Sequence, residues 1–150
     1  MKNAVDQLGM YQSYHYDARN CATHFIGIPL IIFGVMTLLD RVVLFSDVCL
    51  GTLVIIATLV YYCRLDWALG LTMAVVFGVL QYFALQTAAL AQQQWLIYAL
   101  GAFILGWIIQ AIGHVFEKRK PAFTDNLMQL LIGPLFLMFV VLGAILLVVV

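Results

Sequence analysis

Histidine is the residue type in this sequence best suited to chemistry, and the chain has three: His15, His24 and His114. A neutral imidazole coordinates iron, zinc, copper or nickel, so three are enough for one metal ion with open coordination positions. They are too few for a diiron site of the histidine-box type. Any one of them could instead cap a helix or hydrogen-bond a carbonyl group. If all three lie at one face of a membrane, metal binding is the preferred hypothesis.

The spacing of the first two histidines constrains how they could share an ion. They are nine residues apart, so on one unbroken helix of about 3.6 residues per turn they would point in opposite directions. The Asp-Ala-Arg-Asn stretch that begins at Asp17 supplies the bend that a shared ion requires, with Asp17 or Asn20 as N-cap of the next helix. Tyr11 precedes His15 by four residues, as Asn20 precedes His24, so each pair shares a helical face. We expect Tyr11 or Asn20 to orient a histidine ring.

A later apolar segment carries small and polar residues at every fourth position, in the order Ala102, Gly106, Gln110 and His114. Small residues let helices approach closely, and a buried Gln or His finds partners across a helical bundle. Glu117 follows His114 by three residues, so it could reach the same ion if the helix continues past the membrane. It could equally be a solvated loop charge.

The composition excludes most other classes of function. Hydrophobic residues make up 65% of the 150 positions and charged residues 9%, whereas soluble domains carry about 25% charged residues. Basic and acidic residues number seven each, so there is no basic field for nucleic acid. The chain has no Gly-rich phosphate loop or dinucleotide fingerprint, and its two serines lie outside the apolar segments. We therefore predict an all-α integral membrane protein with a single domain over residues 1–150.

The apolar segments predict a bundle of about five membrane segments, at residues 25–45, 48–63, 67–91, 95–113 and 127–150. Helical spans need roughly 17–25 residues, so the last three qualify readily. The first is interrupted by Asp40 and Arg41 and the second is only 16 residues long, so these two could be short or re-entrant. We expect Pro121 to stop the fourth helix, and Asp125 or Asn126 to cap the fifth.

Charge asymmetry predicts the orientation of the bundle. With five spans, one side of the membrane carries six of the seven basic residues and the other side only Arg41. The six are Lys2, Arg19, Arg64, Lys118, Arg119 and Lys120. The positive-inside rule places their side, which includes the N-terminus and all three histidines, in the cytoplasm. The first 20 residues hold no apolar run, so no cleavable signal peptide is expected, and the membrane could be a bacterial inner membrane or the endoplasmic reticulum.

Two blocks of the sequence carry distinctive motifs. Residues 8–24 read L-G-M-Y-Q-S-Y-H-Y-D-A-R-N-C-A-T-H, and residues 106–129 read G-W-I-I-Q-A-I-G-H-V-F-E-K-R-K-P-A-F-T-D-N-L-M-Q. Both resemble the fungal 2-hydroxy-fatty-acid dioxygenase family, small membrane proteins of phytosphingosine breakdown. The resemblance implies an iron(II)-dependent enzyme that uses O₂ for α-oxidation of a 2-hydroxy fatty acid and releases a fatty acid one carbon shorter. The family's histidines, which are thought to hold the iron, match His15, His24 and His114.

The chain departs from the family at one position. His15 is followed here by Tyr16, where the fungal relative has two adjacent histidines. If the missing histidine is a ligand, Glu117 or water would have to replace it.

The implied substrate suggests further roles. A 2-hydroxy acid can chelate a metal ion through its carboxylate and hydroxyl while O₂ takes another open position, and its acyl chain belongs in hydrocarbon beside the membrane lipids. We expect Lys118 or Arg119 to pair with the carboxylate, Gln110 to contact the substrate, and Asn126 to support the site. Lys120 is better explained by topology and attraction to anionic lipid.

The alternative is a non-enzymatic membrane protein, either a lipid-binding scaffold or a b-type haem carrier that uses two of the histidines. A haem carrier would show a Soret band, and a scaffold would bind no stoichiometric metal.

Overall fold

The computed structural model describes residues 4–91, 93–118, 120–124 and 126–149, with residues 144–149 as backbone. Its helices are α1 (Ala4–Gln12), α2 (Ala18–Asp40), α3 (Leu50–Leu65), α4 (Trp67–Ala88), α5 (Gln94–Glu117) and α6 (Gln129–Val149). Between α2 and α3 lies an antiparallel hairpin of β1 (Val43–Phe45) and β2 (Val48–Cys49), and a short 3₁₀ turn at Ala122–Thr124 precedes α6. The predicted helical fold is confirmed, with the hairpin as an addition.

Three of the helices, α2, α4 and α5, are long and apolar enough to cross a membrane. The apolar helix α3 has 16 residues, and α6 runs over 21 residues from Gln129 to Val149, of which residues 129–143 have described side chains. Many large apolar side chains on these helices are exposed, among them Val75 (70%) and Ile97 (68%), as expected of surfaces that face lipid. The described chain therefore has three candidate spans where the sequence predicts about five segments.

The first predicted segment, residues 25–45, has different bounds in the structure. The helix α2 begins at Ala18 because the Asp17 carboxylate caps it, accepting a hydrogen bond from the backbone N–H of Arg19 at 2.9 Å. It ends at Asp40 because the chain then forms the hairpin, whose turn residues Ser46 and Asp47 have φ angles of 43° and 66°. Of the two N-caps that the sequence allowed, Asp17 is the one used, and His24 lies inside α2.

The ends of α5 and α6 also differ in detail from the prediction. The helix α5 ends at Glu117, where Lys118 takes the left-handed conformation with φ 54° and ψ 29°, so the helix stops before it reaches Pro121. The side-chain oxygen of Asn126 accepts a hydrogen bond from the backbone N–H of Met128 at 3.0 Å, in the turn that leads into α6. The alternative cap, Asp125, lies outside the described residues.

Glycines let α2 and α5 pack in close contact. A methyl group on Gly27 would lie 2.9 Å from the carbonyl oxygen of Gly106, and one on Gly106 would lie 2.8 Å from that of Gly27. A methyl group on Gly34 would lie 2.6 Å from the carbonyl oxygen of Ala99. Because α2 carries His24 and α5 carries His114, this contact fixes the distance between the two histidines.

The two charges that interrupt the first predicted segment bind separate partners at the C-terminal end of α2. Asp40 is buried, and its Oδ1 accepts a hydrogen bond from Gln81 of α4 at 3.0 Å. Arg41 donates to the carbonyl oxygen of Ala88 at 2.8 Å, and its guanidinium lies 4.8 Å from the centre of a Trp95 ring. The two side chains thus anchor α2 to its neighbours.

Candidate metal centre and apolar cavity

Backbone carbonyls fix the ring orientations of His15 and His24. His15 lies in the turn between α1 and α2, and its Nδ1 is 2.8 Å from the carbonyl oxygen of Tyr11. His24 lies within α2, and its Nδ1 is 2.9 Å from the carbonyl oxygen of Asn20. A carbonyl oxygen can only accept a hydrogen bond, so in each neutral ring Nδ1 carries the proton and Nε2 carries a lone pair. This arrangement is typical of histidines that bind a metal ion through Nε2.

The two Nε2 atoms of these buried rings point at each other across 3.2 Å. Two lone pairs this close repel unless they share a cation, either a proton or a metal ion. Two nitrogens each about 2.1 Å from one ion lie roughly 3.0 to 3.4 Å apart at right-angle or tetrahedral coordination. The observed separation falls within that interval, so the pair fits a metal ion.

His114 of α5 brings a third ring to this pair. Its ring centre lies 5.4 Å from that of His15 and 5.0 Å from that of His24, and its buried Nδ1 has no hydrogen-bond partner among the described residues. One nitrogen from each ring lies within 4.8 Å of the others. A shared proton needs two nitrogens, so the third favours a metal ion. Ligands of one ion at about 2.1 Å lie at most about 4.2 Å apart, so His114 must shift inward to bind.

The protonation of His15 suits this role. Burial lowers the pKa of the His15 imidazole below its ordinary value, against the opposing effects of the Tyr11 carbonyl and the Glu117 carboxylate. The ring is therefore neutral near pH 7. A neutral ring keeps the Nε2 lone pair that a metal ion requires.

The two residues expected to orient the histidines, Tyr11 and Asn20, both contact them. The Tyr11 ring also stacks on the His15 ring, with centres 4.1 Å apart and planes within 5°. The Asn20 side chain turns away and donates to Oε2 of Glu117 at 3.1 Å. Both residues thus hold a histidine ring nitrogen through the main chain and use their side chains for other contacts.

Glu117 links the end of α5 to the start of α2. Its Oε1 accepts from the backbone N–H of Tyr16 and its Oε2 from that of Asp17, both at 2.9 Å. With the amide of Asn20, three donors occupy this carboxylate. The structure therefore places Glu117 behind the turn that carries His15 and not among the three converging nitrogens.

The position where this chain departs from the family motif lies outside the cluster. The side chain of Tyr16 is 70% exposed, although its neighbour His15 is buried. The substitution at Tyr16 therefore leaves the three converging nitrogens in place.

The other predicted site residues have separate locations. Gln110 lines the cavity described below, whereas Lys118 is exposed at the end of α5 and does not line it. Arg119 lies outside the described residues. Lys120 is exposed, and Asn126 is exposed with its side chain engaged in the turn before α6.

A cavity of about 360 Å³ extends from the three histidines into the bundle. Its walls come mainly from α2, α3, α5 and α6, with Tyr11 of α1 and Phe77 of α4, and they are mostly apolar. Polar side chains concentrate at the histidine end, where Tyr11, Gln110 and Gln129 join the imidazoles. None of the described residues that line it is Asp, Glu, Lys or Arg. The cavity suits a molecule with one polar end and a long apolar part.

Gln129 is a site residue that the sequence did not reveal. It is 1% exposed and lines the cavity, its amide nitrogen lies 3.3 Å from the side-chain oxygen of Gln7, and its own Oε1 has no partner among the described residues. A buried acceptor without a donor is costly, so this oxygen is available for a ligand hydroxyl or water. The available signal was its position as the last residue of the second motif block.

Comparison with known proteins agrees with this geometry. A family model described as "2-hydroxy-palmitic acid dioxygenase Mpo1-like" matches residues 1–145. The 2-hydroxy-palmitic acid dioxygenase MPO1 of Saccharomyces cerevisiae is 37% identical over 136 residues, which cover 89% of this chain and 76% of the yeast protein. No solved structure matches the chain.

Proposed function

The chain belongs to the Mpo1-like family, and on this premise we propose that it is a membrane-embedded iron(II) dioxygenase. Its substrate in this proposal is a 2-hydroxy fatty acid, and its product is a fatty acid one carbon shorter. The yeast relative carries a dioxygenase name for one such acid, 2-hydroxy-palmitic acid. The observation that carries the proposal is the convergence of three imidazole nitrogens at the polar end of an apolar cavity.

The overall reaction balances with O₂ as the only oxidant. The acid R–CH(OH)–COOH and one O₂ give R–COOH, CO₂ and H₂O, with cleavage of the bond between C1 and C2. O₂ takes up the four electrons that the substrate loses, so no second reductant or nucleotide cofactor is needed. The absence of a dinucleotide fingerprint from the sequence is consistent with this balance.

His15, His24 and His114 would hold the iron in this proposal. The 3.2 Å separation of two Nε2 atoms and the unpartnered Nδ1 of His114 both fit an ion at this position. Iron(II), when bound, supplies coordination positions for O₂ and for the carboxylate and hydroxyl of the substrate.

The protein's own residues would orient the substrate's polar end. A buried carboxylate without a nearby cation is costly, and no Lys or Arg is among the described lining residues. The substrate carboxylate would therefore lie at the histidine end of the cavity, where the bound cation would balance its charge. The unpartnered oxygen of Gln129 and the amide of Gln110 would then be available to the hydroxyl and carboxylate.

We place this end of the molecule at the cytoplasmic face, in a bacterial inner membrane or the endoplasmic reticulum. The distribution of basic residues supports this orientation, because the segment that follows His114 carries Lys118, Arg119 and Lys120. Reaction of cysteines introduced beside His15 with an impermeant reagent, in sealed vesicles of known orientation, tests it.

Replacement of His114 by Ala tests the proposed function directly. The variant should lose stoichiometric iron and turnover, because only two imidazoles remain and two are too few to hold the ion. Elemental analysis of purified protein and mass spectrometry of the products from a 2-hydroxy acid and O₂ measure both. The exposed Tyr82 of α4, replaced by Ala, is the control and should keep both. Full iron content and turnover in His114→Ala would exclude the proposal.

The haem-carrier alternative fits the geometry poorly. Two axial histidines bind a haem iron from opposite faces of a flat macrocycle. The three histidine rings contact one another, with centres 4.6, 5.0 and 5.4 Å apart, so no pair leaves a slot for such a ring. We therefore expect the purified iron-loaded protein to lack a Soret band.

A further inference from the structure

The apolar cavity follows one face of α2 over most of the length of the helix. It begins beside His24 and reaches Leu39, and the residues between them on this face are Ile28, Ile31, Ile32, Val35 and Met36. A helix rises about 1.5 Å per residue, so this path is about 22 Å long. The wall contributed by α3 runs from Gly51, at the Leu39 end, to Tyr62.

This length corresponds to a particular range of acyl chains. An extended polypeptide advances at most about 3.6 Å per residue of three bonds, which is about 1.2 Å per bond, and an extended acyl chain has similar tetrahedral geometry. A path of about 22 Å therefore holds about 18 bonds. An acid whose polar end lies at the histidines would place its last carbons beside Leu39 and Gly51.

A hydrogen-bonded cluster lies next to the far end of the cavity. Gly51 lies directly against the Asp40 side chain, which is why no larger residue fits there. Asp40 accepts from Gln81 at 3.0 Å, and the same amide of Gln81 donates to Thr52 at 3.1 Å. These contacts join α2, α3 and α4, and we call this cluster, together with Leu39 and Gly51 beside it, the floor of the cavity.

We propose that the cavity binds the substrate's acyl chain in extended form, and that its floor at Leu39 and Gly51 sets the longest chain accepted. This inference rests on the proposed function of the histidine centre. Bilayer and cavity are both apolar, so an added methylene gains little by leaving lipid for protein. Selection by length therefore comes from steric fit against the floor.

Two substitutions on the lining face of α2 test the proposal. Val35→Phe fills the path short of the floor, and should lower kcat/KM for a sixteen-carbon 2-hydroxy acid roughly ten- to hundredfold while a ten-carbon acid is still turned over. Leu39→Ala enlarges the end, and should raise kcat/KM for acids two to four carbons longer than the wild-type limit. Val75→Phe, on the exposed face of α4, is the matched control and should keep the wild-type length profile.

Binding and activity are measured separately. Turnover of a series of 2-hydroxy acids gives the length profile, and thermal protection of the iron-loaded protein in nanodiscs by the same acids, in the absence of O₂, should follow the same order. The proposal would be overturned if both variants kept the wild-type length profile. It would also be overturned if Val35→Phe lowered kcat/KM equally at every length and Leu39→Ala showed no gain for longer acids. Those results would leave the proposed function intact, whereas failure of the wild type on every acid would remove the function itself.

Discussion

At the scale of single residues, one carboxylate joins the parts of the candidate metal centre. Glu117 ends the helix that carries His114, and it accepts hydrogen bonds from the backbone of the turn that carries His15. It also holds the side chain of Asn20, whose carbonyl orients His24. Glu117 therefore connects the segments that carry all three rings.

We expect Glu117→Ala to weaken metal binding without abolishing it. Three donors lose their acceptor, the turn before α2 loosens, and iron affinity should fall roughly 10- to 100-fold, as for other residues that orient metal ligands. Iron titration of the purified variants measures the affinity. Asp66→Ala, which removes the N-cap of α4 away from the centre, is the matched control and should keep wild-type affinity despite its lower stability. Loss of iron as complete as in His114→Ala would show instead that Glu117 is a ligand.

The sequence predicted some contacts of these residues and missed others. The pairing of Tyr11 with His15 and of Asn20 with His24 follows from a spacing of four, because such contacts are local to one helical turn. The hydrogen bonds of Glu117 reach residues about a hundred positions earlier, which spacing within one segment does not reveal. Whether the Nδ1 of a histidine donates to a side chain or to a backbone carbonyl depends on the side-chain rotamers. The contacts of His15 and His24 with backbone carbonyls were therefore not predicted.

At the scale of helices, the contact between α2 and α5 sets the geometry of the site. The sequence predicted a close-packed face from residues at every fourth position of α5, and Gly106 does lie against α2. The hairpin after α2 was missed because an apolar run of a few residues looks the same in a strand and in a membrane helix. Hydrophobicity predicted which segments form long apolar helices, and hydrogen bonding at Asp17 and the hairpin turn decided where α2 begins and ends.

Gly106→Ala should therefore disturb the metal site from a distance. The added methyl group would meet the Gly27 carbonyl at 2.8 Å, so the helices must separate, at a cost of about 1–3 kcal/mol, and carry His114 away from His24. Iron content and thermal unfolding should both fall. On the same helix, Gly101 has no neighbour within 4 Å, so Gly101→Ala should keep the iron and stabilise the protein by about 0.5–1 kcal/mol. Equal behaviour of the two variants would contradict this account.

At the scale of the whole molecule, composition predicted a membrane protein and the order of its apolar segments predicted three histidines at one face, but neither predicted the cavity. A cavity is space that several elements leave between them, and residues of all six helices and of two loops line this one. No periodicity in one segment encodes such a space. The candidate metal centre is likewise built from several segments, because its three nitrogens come from the α1–α2 turn, α2 and α5.

An ion bound by those three elements should stabilise the entire bundle. At a free concentration a hundred times its Kd, a ligand that binds only the folded state adds about 2.7 kcal/mol to the free energy of unfolding. We expect iron(II) to raise the midpoint of thermal unfolding of the purified protein and a chelator to reverse the change. His24→Ala should respond to neither, since its remaining rings come from the turn and α5 alone. An equal rise in His24→Ala would mean that the ion stabilises the protein from some other position, because the cross-link through α2 would be absent.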